Sequence, residues 1–97
     1  KMLDTRELSN KLLPIGSVVK LVDRESKIMI SGRQQIDLET GDEFDYIGCE
    51  YPGGFDGENA ILFDAESIIM IYFIGYQDVT EIHQRLLVID SMNSEDE

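Results

Sequence analysis

His83 is the only histidine and Cys49 the only cysteine in the 97 residues. A thiol and an imidazole can act as nucleophile and base. Nothing in their spacing supports that pairing here, and no oxyanion hole accompanies it. With no second histidine or cysteine, the sequence cannot complete a zinc site of nitrogen and sulfur ligands. Carboxylates are plentiful, and Asp56-Gly57-Glu58-Asn59 resembles part of a calcium loop. It lacks the alternating Asp-x-Asp-x-Asp-Gly pattern and the terminal Glu at the right offset. Gly53-Gly54-Phe55-Asp56-Gly57 is glycine-rich, but no Gly-Lys-Ser/Thr follows and no GxGxxG is present. The residue set predicts no catalytic constellation, no metal site and no cofactor, and therefore a protein that is not an enzyme.

The same stretch suits binding better. Tyr46, Tyr51 and Phe55 cluster in and beside the glycine-rich loop, and Glu50, Asp56 and Glu58 surround them. Aromatic side chains rimmed by charge are common at protein interfaces. These six residues form the candidate partner-binding surface. The plainer alternative is that Phe55 folds back onto a sheet and Tyr51 merely ends a strand.

Charge narrows the partner. Eight basic residues stand against 20 acidic ones, for a net charge of −12. Between Arg33 and Arg85 there is no Lys or Arg, while twelve acidic residues fall in that interval. Such a field repels nucleic acid and anionic lipid and favours a protein with a basic surface. Acidity can also serve solubility alone. A lone cysteine excludes an intrachain disulfide and fits a reducing, cytoplasmic setting. The longest apolar run, Ile68–Ile74, is strand-sized and far below the roughly 20 residues of a membrane helix, so no membrane partner is expected.

The elements that must position these residues follow from pattern. Residues 4 to 12 predict a short helix capped by Thr5 and stopped at Leu13-Pro14. Ile15 to Val22 and Lys27 to Ser31 predict a hairpin, with Gly32 at a bulge and Arg33 to Leu38 continuing the second strand. Glu43 to Glu50 predicts a third strand and Ala60 to Phe63 a fourth. A single turn capped by Asp64 comes next. Ile68 to Tyr76 predicts the strongest strand, apolar on both faces and so covered on both. Asp78 caps a helix whose Val79, Ile82, Leu86 and Ile89 form an apolar stripe, the natural cover for one face of that strand.

Strands followed by a helix predict the α+β class. The expected architecture is about five antiparallel strands in a curled sheet or small open barrel, with a short N-terminal helix and a C-terminal amphipathic helix packed on the sheet. One domain spans residues 1–97, with its core at about 12–92 and an acidic, disordered tail over 93–97.

Five segments carry a family resemblance. They are Leu13-Pro14-Ile15-Gly16-Ser17-Val18-Val19-Lys20-Leu21, Ile28–Arg33, Phe44–Gly54 (FDYIGCEYPGG), Phe63–Ile68 and Phe73–Tyr76, in that order. Over roughly residues 12 to 78 the chain resembles the family called domain of unknown function 4176, small proteins of Gram-positive bacteria. The resemblance implies an association with type VII secretion, since members are often encoded beside its genes and those of LXG-type toxins. It implies no catalytic residues. The expected function is a non-enzymatic accessory or adaptor that binds a toxin, targeting factor or secretion component. Alternatives are an immunity protein that neutralises a cognate toxin, a small-ligand-binding module, and a homo-oligomer formed through an open sheet edge.

Overall fold

The computed structural model describes residues 13–95, with side chains through Asp90; the N-terminal helix expected over 4–12 lies outside the described residues. The β-branched and apolar runs become strands β1 (Val18–Leu21), β2 (Lys27–Ile36), β3 (Glu43–Tyr51), β4 (Ile61–Phe63) and β5 (Ile68–Phe73). One helix, α1 (Val79–Glu95), follows. The strands form one antiparallel sheet in the order β4-β3-β2-β1-β5.

That order forces the sheet to curl. Strands β4 and β5 lie on opposite edges, yet only Asp64–Ser67 joins them. Four linking residues reach at most about 17 Å between flanking strands. Four flat interstrand steps would separate the edges by about 19 Å before any offset along the strands. The link therefore bends the edges toward each other. It does so through a 3-10 turn at Ala65–Ser67, and a cleft of about 190 Å³ between Leu21, Arg24, Phe44, Ile61, Phe63 and Ser67 marks the open seam.

The concave face holds the core. Alternation along β1 and β2 sends Val19, Leu21, Ile28 and Ile30 inward, where they meet Tyr46, Phe63, Ala65, Ile68 and Leu13. Met29 faces the other way, as period-two spacing requires. Gly48 permits the close β2–β3 approach, because a Cβ there would stand 2.6 Å from the Met29 carbonyl oxygen. Gly32 lies at a register shift between Ile30 and Gly32, so β2 continues past it with a bulge.

Two expectations need correction. First, β5 is an edge strand and only Ile68 is buried; Ile69 to Phe73 are exposed. An apolar pattern on both faces does not distinguish a strand covered by its own chain from one left open. Second, α1 does not cover that strand. Its stripe residues Val79, Ile82 and Leu86 remain exposed, and the helix is tied instead to β2 by Glu81, which pairs with Arg33 at 3.2 Å.

The caps also sort themselves. Asp78 accepts a hydrogen bond from the Glu81 N–H at 2.9 Å, the expected N-cap. The Glu81 carboxylate turns away to Arg33 and Arg85. Asp64 holds the cap position of the 3-10 turn but makes no side-chain cap. The cap comes from β3, where the Asp45 carboxylate accepts from the Ala65 N–H at 2.8 Å. In return, Asp64 accepts from the Asp45 N–H at 3.0 Å.

Candidate functional site

Strand β3 delivers the glycine-rich loop at its end. After Tyr51 a cis Tyr51–Pro52 peptide turns the chain, and Gly54 (φ +81°) and Gly57 (φ +100°) take left-handed conformations that favour glycine. Gly53 takes no such conformation. The loop satisfies its own polar groups. Asp56 accepts from the N–H groups of Glu58 (2.9 Å) and Asn59 (3.1 Å), and the Asn59 carboxamide spans back to the Asp56 N–H and the Gly54 carbonyl. The Gly54 N–H donates to the Glu50 carbonyl at 2.8 Å. These bonds tie the loop to itself and to the end of β3.

The loop presents five of the six expected contact residues. Glu50, Tyr51, Phe55, Asp56 and Glu58 are exposed, Tyr51 at 49 % and Phe55 at 63 %. Phe55 therefore does not fold back onto the sheet. Tyr46 is separate from them. It is fully buried, stacks obliquely on Phe63 with ring centroids 5.4 Å apart, and accepts a hydrogen bond from the Leu13 N–H at 3.0 Å. Desolvation pushes its phenol well above the ordinary range. Tyr46 is a core residue, placed inward by the alternation of β3, and cannot touch a partner.

Cys49 is buried on β3 and His83 is exposed on α1, so one is withheld from solvent and the other open to it. Among the described residues, no three His, Cys, Asp or Glu side chains converge to hold a metal ion. Among the same residues, no helix is long and apolar enough to cross a membrane.

A second feature was not expected from the sequence. On the convex face a groove of about 460 Å³ runs between Val18, Lys27, Met29, Tyr51, Tyr72 and Phe73. The Lys27 ammonium sits 5.0 Å from the centre of the Tyr72 ring, a cation–π contact. Tyr51 thus belongs to both the loop and this groove. The signal in the sequence was the length of the uncharged run through Tyr72 and Phe73, which had been assigned to a covered strand.

The Ile15–Ser17 segment threads between β2 and the end of β5: the Gly16 N–H donates to the Ile30 carbonyl at 2.8 Å, and the Ser17 hydroxyl accepts from the Gly75 N–H at 2.9 Å. A Cβ on Gly75 would stand 2.2 Å from the Ile15 carbonyl oxygen. No curated protein and no solved structure matches the chain. The model of the family described as Domain of unknown function (DUF4176) matches residues 12–84, which takes in the capped start of α1 as well as the sheet, and the chain belongs to that family.

Proposed function

We propose that this chain is a non-enzymatic, protein-binding accessory factor, and that it acts with a toxin, targeting factor or secretion component of type VII secretion. Its working surface is the loop carrying Glu50, Tyr51, Phe55, Asp56 and Glu58. The observation that supports this reading is the exposure of two aromatic rings on a loop whose polar groups are satisfied internally. Rings held ready in this way lose little conformational freedom on docking. Acidic side chains beside them, in a chain of net charge −12, select a basic patch on the partner. The link to secretion rests on what the family resemblance implies.

A pull-down from the native host tests the proposal, with wild type and a Tyr51→Ala/Phe55→Ala variant as baits at low and moderate salt. The expected result is capture of one basic protein, weakened by salt and lost in the variant. Capture that ignores both salt and the two rings would overturn this surface. Capture of a toxin's active domain, with protection of cells that express it, would instead make the chain an immunity protein.

A further inference from the structure

We infer that the β5 edge docks a second copy of this chain, the two β5 strands lying antiparallel about a two-fold axis at Met70. Natural sheets blunt their edges with charge, proline, bulges or short strands, because an open edge invites pairing. Of these devices strand β5 has only the two bulges in its pairing with β1. From Ser67 to Gln77 the chain carries no charged residue and no proline. Ile69, Met70, Ile71, Tyr72 and Phe73 are each exposed by 37–61 %, and Ile74 and Tyr76 extend the strip. The largest apolar patch on a monomer is usually about 300–600 Å². Seven large apolar side chains in a row reach or exceed that, and approach the roughly 800 Å² that one partner contributes to a standard interface. The exposed stripe of α1, with Val79, Ile82 and Leu86, adds a second uncovered apolar surface to the same C-terminal half.

Charge selects the occupant. A basic partner seated on β5 would bury its cations against a strand with no counter-charge, which is costly. A second copy brings the same uncharged run, so neither side buries a charge. The two-fold pairing is also self-consistent. With Met70 opposite Met70 of the second copy, as a two-fold axis normal to the sheet requires for side chains that share a face, Ile69 meets Ile71 and Ile68 meets Tyr72. Glu66 then faces Ile74, Asp64 faces Tyr76 and Asp78 faces Leu62, so no acid opposes an acid. Such an isologous contact is closed and does not propagate into fibres.

The pairing of β5 with β1 refines the picture. Its register places Leu21 opposite Ile68, Lys20 opposite Met70, Val19 opposite Ile71 and Val18 opposite Phe73. Ile69 and Tyr72 are therefore the extra residues at two bulges, one on either side of Met70 and Ile71. Bulges interrupt a hydrogen-bonded ladder. The association is thus carried by buried side chains rather than by a continuous run of backbone bonds.

Sedimentation equilibrium of the full chain tests this over a wide concentration range. Wild type is expected at twice the monomer mass. Met70→Glu, at a position more than half exposed, keeps the fold by circular dichroism and places two like charges at the axis. Its self-association should be roughly ten-fold weaker or worse. Met70→Cys should form a covalent dimer under mild oxidation, whereas wild type, whose one cysteine is buried, should not. Phe55→Ala should leave the dimer mass unchanged, which separates this interface from the loop surface. A wild type that stays monomeric throughout, a dimer indifferent to Met70→Glu, or a Met70→Cys chain that fails to cross-link would each overturn the proposal.

Discussion

The two edges of this sheet are finished in opposite ways. The β4 edge is three residues long and follows a loop rich in acids and glycine. Its end is locked by two aspartates that exchange bonds across β3 and the 3-10 turn. The β5 edge is six residues long, uncharged and largely exposed, and is fixed where it meets β1 and, just past its end, the Ile15–Ser17 segment. A short edge offers little to pair with, and under the proposed function the polar loop before it selects a partner by charge. A longer apolar edge makes no such selection and gains most by covering itself with its own kind. Under the two proposals above, the difference gives two surfaces to two tasks within one small domain.

The comparison can be broken most severely at the anchor of β5. Gly75→Ala forces a Cβ to within 2.2 Å of the Ile15 carbonyl oxygen and 2.9 Å of the Ser17 nitrogen, both backbone atoms that cannot swing aside. Overpacking of this kind costs about 3 kcal/mol or more. Urea unfolding at a fixed low protein concentration measures it, since a dimer's stability depends on concentration. A loss below about 1 kcal/mol would mean that the Ile15–Ser17 segment yields easily and does not fix β5.

A paired substitution sharpens the contrast at intermediate cost. Ser17→Ala removes the acceptor from a buried Gly75 N–H, at the β5 end of the sheet. Leaving a buried donor unsatisfied costs about 1–3 kcal/mol. Asp45→Ala removes the cap from the Ala65 N–H at the β4 end, where the group is part-buried. Loss of a cap costs about 1 kcal/mol. Ser17→Ala should therefore shift the urea midpoint further than Asp45→Ala. The reverse order would show that the turn linking the edges, and not the β5 anchor, carries the curl.

How much of this could be read from the sequence depends on whether the deciding force was local. The five strands, the bulge at Gly32 and the Asp78 cap were legible because alternation, glycine placement and capping act within a few residues. The cap of the 3-10 turn was not. Asp64 occupies the right position, but Asp45, 20 residues away, supplies the carboxylate. The exposure of β5 was hidden for a similar reason. Its apolar pattern says that both faces want cover, whereas strand order decides whether this chain supplies it, and order is a long-range property. At the candidate site the exposed Tyr51 and Phe55 were legible from their place in a turn. Tyr46 was not separable from them by spacing, because only the inward phase of β3 and the contact with Leu13 reveal it as core.

The smallest effect tests whether the loop is organised independently of the sheet. Asp56 makes the same kind of bond as Asp45, a carboxylate accepting from backbone N–H groups, but at an exposed site. Water can replace it there, so Asp56→Ala should change global stability by no more than about 0.5 kcal/mol. Its effect should instead be local. Amide hydrogen exchange at Glu58 and Asn59 should quicken, while the amides of Leu13 and Gly75, bonded to buried groups, keep their protection. Binding of a basic partner should weaken with it, because the rings of Tyr51 and Phe55 would no longer be held on an ordered loop beside their acids. A variant that loses global stability by more than about 1 kcal/mol would show that the loop is a structural brace for β4. The contrast between a short edge with a polar working loop and a longer apolar self-covering edge would then fail on the side of the loop.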